Sequence, residues 1–463
     1  MAVTDFSGLV DLASERLGGT VIAANDDFFA PKENLVLSRR PVFRDGEYTT
    51  RGKWMDGWET RRRRTPGHDW CIVRLGLPGL VEGVLVDTSF FRGNHPEACS
   101  IEGCEADRDD GREALSSAAW TELVPMSALE GDSENSFVAA PPRRSTHIRL
   151  NIHPDGGVAR LRVYGEAAPD WNRRSRDAEI DLAALDNGGL VVDASDMFFG
   201  SRQNLILPGA PIGMHDGWET RRRRGPGHDW AMIRLAGLGS IRRLEVDTSY
   251  FKGNYPDRCS LEAGDGTETG WKEVLGQHRL EADTRHVFPI QAVATHIRFH
   301  IYPDGGVARV RLPGQLAPHL ETLLAASGSG EWTRRMAELR PFRNTPEVLD
   351  AAERVWRGLA KADWLEAFHS HPRIGEQSDG RPSLEQAGAL AADAAVLQAL
   401  QEDNRAYEAR FGHIFLVCAA GKSGVDLLAG LRSRLGNDPE TEWLVAAEEQ
   451  RKITRLRLET SLS

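Results

Sequence analysis

Asp56-Gly57-Trp58-Glu59-Thr60-Arg61-Arg62-Arg63-Arg64-Thr65-Pro66-Gly67-His68-Asp69-Trp70 returns, residue for residue but one, at Asp216 to Trp230. Fourteen of fifteen positions agree, Thr65 facing Gly225 being the exception, at a spacing of 216 − 56 = 160 residues. A period of that length marks duplicated domains, because solenoid repeats recur every ~20–50 residues. Four consecutive arginines on a chain of net charge −11 also point towards a small anionic ligand.

Outward from this stretch the two copies keep answering each other. Asp26-Asp27-Phe28-Phe29 and Asn34-Leu35 face Asp196-Met197-Phe198-Phe199 and Asn204-Leu205. Val86-Asp87-Thr88-Ser89 and Gly93-Asn94 face Val246-Asp247-Thr248-Ser249 and Gly253-Asn254. Thr146-His147-Ile148-Arg149 and Pro154-Asp155-Gly156-Gly157 face Thr295-His296-Ile297-Arg298 and Pro303-Asp304-Gly305-Gly306. The offset falls from 204 − 34 = 170 through 160 to 303 − 154 = 149, so the first copy carries insertions between Asn34 and Asp56 and between Thr88 and Thr146. Both insertions are polar and turn-rich, which places them in surface loops.

Within each copy the apolar period is two: Ile148, Leu150 and Ile152 alternate with Arg149, Asn151 and His153. Short alternating runs bounded by Gly, Pro, Asn and Asp predict antiparallel β-sandwiches. Asp-Gly-Gly is read as the turn feeding the last strand. Beyond about Pro313 the period changes to that of helices, with apolar faces such as Ala352, Val355, Trp356 and Leu359, or Leu427, Leu428, Leu431 and Leu435. Ala326 to Gly330 reads either as a flexible linker or as a join between two helices. The expected domains are 1–168 and 169–314, both all-β, and 315–463, all-α.

The bulk properties exclude several classes. A net-acidic chain is a poor partner for nucleic acid or an anionic membrane. No run approaches the ~18 apolar residues that would span a bilayer, and Met1 to Leu12 lacks a signal-peptide layout, so a cytoplasmic chain is expected. Five cysteines without a Cys-x-x-Cys pair make neither a disulfide framework nor a zinc site. Cys99 and Cys259, again 160 apart, are expected in the core.

Arginine grips planar carboxylates bidentately, and if the arginine run is a strand, at most two of its four side chains face one cleft. A solvated run held by neighbouring acids explains the same residues, and tandem sandwiches also fit carbohydrate-binding modules. The whole set of paired motifs resembles allantoicase over residues of about 20 to 312. That resemblance implies two jelly-roll modules hydrolysing allantoate to ureidoglycolate and urea. Glu59, Arg62, His68, Asp69 and Asp87, or their counterparts Glu219, Arg222, His228, Asp229 and Asp247, are the candidates for binding the carboxylate and ureido groups and for moving protons. No spacing among them matches a recognised metal-ligand motif, and the metal question stays open here.

The helical part carries Phe368-His369-Ser370-His371-Pro372-Arg373-Ile374-Gly375, Ser383-Leu384-Glu385-Gln386-Ala387-Gly388 and Arg410-Phe411-Gly412-His413-Ile414-Phe415. His371 before proline ends a helix, a place for an exposed acid/base, and Glu385 at a helix start is also explained by the dipole alone. Gly421-Lys422-Ser423 lacks the earlier glycine of a phosphate loop, Leu416 standing there. These motifs, over about 316 to 460, resemble OHCU decarboxylase, the 2-oxo-4-hydroxy-4-carboxy-5-ureidoimidazoline decarboxylase of urate breakdown. By that resemblance His371 handles the proton at the carbon losing CO₂ and Glu385 assists it. Pro372, Gln386 and the stretch Phe415, Leu416, Val417, Cys418 and Ala419 shape the pocket, Arg457 holds a substrate anion, and no cofactor is needed. Pro382 stands where the family often has Ser. The expectation is a bifunctional enzyme acting on small molecules, as a homo-oligomer. The alternative is a decarboxylase carrying two inactive sandwich binding modules.

Overall fold

The computed structural model describes residue 6, residues 8–371, residue 373 and residues 393–462. Two β-sandwiches in tandem are followed by a bundle of helices, as the change of apolar period requires.

Each sandwich is built on two very long antiparallel strands, Asp69–Asp87 with Glu134–His153 and Asp229–Asp247 with Arg285–Tyr302. The pairing is interrupted at one place in each. Asp69 to Arg74 pair with Ile152 to His147, and pairing resumes at Gly79 opposite Ser145. The interruption is a corner, at which each strand leaves one sheet and enters the other. The first half of Asp69–Asp87 is flanked by Thr20–Ala24 and the second half by Arg160–Ala167. Glycine is needed at this corner because a Cβ on Gly76 would sit 2.6 Å from the Leu17 carbonyl oxygen. Inward residues alternate as expected: Val84, Val86, Ile148, Leu150, Ile152, Trp58 and Trp218 are fully buried in one apolar cluster that runs through both sandwiches. Cys99 and Cys259 lie in that cluster as free thiols, and burial pushes both up to about 12.

The arginine run is not a strand. Trp58–Glu59 pairs with Gly157–Val158, the chain then runs irregularly through Arg61 to His68, and the long strand begins at Asp69. The cause is the Asp-Gly-Gly turn: Thr60 binds both the N–H and the carbonyl of Gly156, and the Arg63 N–H donates to Asp155 at 2.8 Å. The first insertion forms a small exposed hairpin, Tyr48–Thr49 with Gly52–Lys53, and the second holds the helix Arg112–Ser116, whose Leu115 caps Ile72 on the outer sheet face.

Pro313–Leu316 is still a strand of the second sandwich, lying between Ile180–Asp181 on one side and Gly239 to Ile241 on the other. Helices Leu320–Ser327, Gly330–Glu338, Thr345–Arg357, Lys361–His369, Ala394–Phe411, Gly424–Arg434 and Pro439–Ser461 follow. Their starts are capped by side chains: Ser329, Asn344, Ser423 and Asp438 each accept a backbone N–H from the first turn. Ala326 to Gly330 is a tight join between two helices, with Ser327 and Ser329 buried, and the alternative of a flexible linker falls. Trp332, Trp356, Phe368 and Leu458 fill the helical core. Among the described residues no helix is long and apolar enough to cross a membrane.

Candidate active sites

At the loop end of each sandwich the strand Trp58–Glu59 or Trp218–Glu219 is fixed by its tryptophan, whose indole N–H donates to the carbonyl of Asp26 (2.8 Å) or Asp196 (2.7 Å). The neighbouring glutamate therefore points out beside the Gly-Asn loop. Asn94 Nδ2 donates to Glu59 at 2.8 Å, and Asn254 Nδ2 donates to Glu219 at 2.6 Å. In the second repeat this pair opens on a cavity of about 480 Å³ bounded by Arg222, Tyr255, Asp257 and Asp304. In the first repeat a cavity of about 360 Å³ lies on the other side of Asn94, lined by Phe43, Lys53 and Met55 from the insertion and by Phe90 and Arg92. Burial raises the Glu59 carboxyl above the ordinary range, the Asn94 bond opposing it.

The arginines divide by role. Arg61 and Arg221 pair with Asp26 (3.2 Å) and Asp196 (3.3 Å) and lie over Phe28 and Phe198. Arg63 pairs with Asp69 at 2.6 Å, as Arg223 does with Asp229. Arg62 and Arg222 are exposed, and Arg222 lines the second cavity. Asp69 and Asp229 are buried and also accept from Asn25 (2.7 Å) and Ser195 (3.0 Å). Asp87 and Asp247 cap the Ser89 and Ser249 N–H groups at 2.8 Å. These four aspartates thus hold loops in place, while Glu219 and Arg222 meet at one cavity.

His68 and His228 sit on the outer sheet face, in different company. His228 Nε2 lies 2.9 Å from His300 Nδ1, and His300 Nε2 lies 3.1 Å from Glu262. Its ring packs 4.6 Å from Tyr302, the residue before the cavity's Pro303. Burial lowers His300, with Glu262 opposing. In the first repeat His68 packs 4.7 Å from His153, and Asn151 stands where the second has His300, donating to Glu102 at 2.9 Å.

In the helical domain, His371 ends the helix Lys361–His369 with its Nε2 buried and, among the described residues, unpartnered. Burial first, then the Arg457 guanidinium, pushes it down to about 3, with Gln450 working the other way. Gln450 donates to the Ser327 carbonyl at 3.2 Å, and Arg457 Nη1 to the Ala325 carbonyl at 3.2 Å. Phe415 to Ala419 lie against a second cluster. Arg434 lies 4.7 Å over the Phe415 ring and donates to the Leu416 carbonyl at 2.7 Å, Glu449 accepts the Cys418 N–H at 2.8 Å, Ala419 is buried and Val417 is half-buried. Pro372, Glu385 and Gln386 lie outside the described residues. Asn94 and Asn254 were visible as part of the repeated Gly-Asn but not as partners of the glutamates. Glu262, His300 and Gln450 carry no sequence signal, being brought in by strand register and helix packing. Among the described residues, no group of three His, Cys, Asp or Glu is placed to hold a metal ion.

A tandem pair of sandwiches with a repeated Glu–Asn site, carrying a helical domain around one buried histidine, defines a two-part enzyme. Residues 10–168 and 180–317 match the family model of the allantoicase repeat, and 317–459 match that of OHCU decarboxylase. The chain belongs to the allantoicase family, with an OHCU decarboxylase domain joined behind it. It is 49% identical over 321 residues to a probable allantoicase of Burkholderia mallei, covering 66% of this chain and 94% of the relative. A probable allantoicase of Pseudomonas aeruginosa is 46% identical over 326 residues, covering 67% and 96%. The crystal structure of Saccharomyces cerevisiae allantoicase superposes with a TM-score of 0.58 at 37% identity, covering 66% of this chain and 93% of that one.

Proposed function

We propose that the sandwiches hydrolyse allantoate to ureidoglycolate and urea at the cavity of the second repeat, and that the helical domain decarboxylates OHCU to (S)-allantoin around His371. The observation that carries the first part is Glu219, held by Asn254, meeting Arg222 across one cavity. Arg222 takes the allantoate carboxylate by a charge-assisted bond. Glu219 accepts a ureido N–H proton and returns it to the departing nitrogen, so the electron pair of that N–H bond forms C=N as urea leaves. Water adding across C=N then gives ureidoglycolate, and the atoms balance.

In the second site Arg457 anchors the anion and His371 handles the proton at the carbon that loses CO₂, with Glu385 assisting. The bond electrons pass into the ring carbonyl and imine, so no cofactor is called on. His371 enters as the neutral imidazole, because its value of about 3 lies far below working pH. The expected kcat/KM profile therefore lacks an acidic limb at the ordinary histidine value of about 6.5; a limb there would show that His371 is not the group followed. The reading also places the enzyme in the cytoplasm as a homo-oligomer, which light scattering on the purified chain checks.

The deciding experiment measures urea release from allantoate by the full chain and by Glu219→Gln and Glu59→Gln. Loss of about 10²–10⁴-fold is expected for the first, with Glu59→Gln keeping most of the rate. Equal loss in both would place catalysis in both repeats, and no urea from the unsubstituted chain would overturn the reading. His371→Asn does the same duty for decarboxylation.

A further inference from the structure

We infer that the corner Gly237-Leu238-Gly239 of the second sandwich is a working part of the decarboxylase, seating the helical domain and fixing the groups beside His371. This rests on the decarboxylase reading above. The first repeat supplies the comparison, because its matching corner is Leu77-Pro78-Gly79 and has no helical domain behind it. Both corners accept one equivalent bond, from the Ala168 N–H to the Pro78 carbonyl and from the Ala317 N–H to the Leu238 carbonyl, each 2.8 Å.

Both also keep the closing glycine, Gly79 or Gly239, but the first two residues of each corner differ in what they touch. Leu238 donates its own N–H to the Phe342 carbonyl at 2.6 Å, which Pro78 has no N–H to do. The Leu238 side chain is buried in the helical core with Trp332, Phe342 and Leu458, not in the sandwich core. A Cβ on Gly237 would stand 2.6 Å from Pro341 Cβ and 3.2 Å from the Phe342 oxygen. The Gly237 backbone is outside the positive-φ region, so the close approach of Pro341 is what calls for glycine, where the first repeat carries leucine. Arg340 closes the seam from the other side: buried, it donates to Asp177 (2.7 Å), in the segment between the sandwiches, and to the Pro318 carbonyl (3.3 Å).

From this seat the chain passes directly into the helix Leu320–Ser327. The carbonyls at its end, Ala325 and Ser327, hold Arg457 and Gln450, the two side chains that flank His371. A shift at the corner is therefore a shift of the anion anchor. Leu238 and Gly237 are positioning residues of the decarboxylase contributed by the allantoicase fold.

The test grafts the first repeat's corner into the full chain as Gly237→Leu with Leu238→Pro, and separately makes Leu238→Ala. The graft is a corner that the same sandwich already tolerates in its first copy. Decarboxylation by the graft is expected to fall about tenfold or more, a small displacement of a positioning element being enough, with urea release within about twofold of the unsubstituted chain. Leu238→Ala is expected to raise KM for OHCU several-fold with a smaller change in kcat, since the anchor is disturbed before the proton carrier. Unchanged decarboxylation in both variants overturns the inference. So does a parallel fall of both activities, which would make the corner a sandwich residue, and so does a fall in kcat alone in proportion to the unfolded fraction. A full chain that never decarboxylates OHCU would instead fail the underlying reading.

Discussion

The two sandwiches share their central stretch almost residue for residue, yet each surrounds it differently. Asp56 and Asp216 are both buried against a buried arginine, Arg160 at 3.0 Å and Arg309 at 2.7 Å. The second partner of Asp56 is Arg39, from the first repeat's own insertion, whereas the second partner of Asp216 is Arg16, reaching over from the other sandwich. The aromatic pair Phe28–Phe29 is partly covered by the hairpin, Phe28 staying 37% exposed and Arg51 donating to the Phe28 carbonyl at 3.2 Å. Its counterpart Phe198–Phe199 is bare, each ring more than 60% exposed. The shared residues build the frame, and the unshared neighbours decide how much of the glutamate site is open.

The comparison is broken most forcefully at its common element. Asp56→Ala and Asp216→Ala each leave a buried guanidinium without counter-charge, and each is expected to cost about 3–5 kcal/mol in denaturant unfolding. A change no larger than that of a surface substitution would show that these pairs do not hold the loops. Next in size, Arg222→Ala is expected to raise KM for allantoate about 10- to 100-fold, the worth of a charge-assisted bond at about 1.5–3 kcal/mol. Arg62→Ala should do much less, and equal effects would restore symmetry between the repeats. His300→Asn copies the first repeat's arrangement and removes the middle of the Glu262–His300–His228 chain. A several-fold fall in kcat is expected, recovered in part by Gln; no change would make the chain structural.

The smallest effect is a pH dependence at Glu59. Its raised value means the folded chain keeps a proton that the unfolded chain gives up first. Stability from this group is therefore lost as pH rises from the unfolded towards the folded value. The stabilisation given by Glu59→Gln should grow from pH 4 to pH 7, read from denaturant midpoints, and a gain that shrinks over that range would contradict the burial of Glu59.

The sandwich class was legible because period-two alternation survives in strands such as Thr146 to His153, with polar residues on the outer face. The corners were not, since a glycine such as Gly76 looks the same whether it ends a strand or turns it between sheets. Whether the arginine run is strand or loop stayed open because its local pattern carries no sign of Asp155 and Asp304, 92 and 81 residues away, which claim its backbone. Arg222 and Glu219 were legible as residue types, but their meeting at one cavity was not, because Tyr255, Asp257 and Asp304, which complete its wall, are brought there by loops distant in sequence. In the helical domain His371 was marked by its motif, whereas Gln450 and Arg457 reach it through helix packing, and of these only Arg457 lay in a recognisable position.

Arg16 lends its charge to Asp216, and Gln203 binds the Gly8 carbonyl at 3.0 Å, so each half of the duplicated unit carries stabilising groups that serve the other. For the history of such a gene this acts as a ratchet. Once an ancestral module has lent a counter-charge to its copy, deleting the first copy leaves Asp216 with Arg309 as its one remaining cation of the pair, deleting the second leaves Gly8 without Gln203, and the route back to a single module narrows.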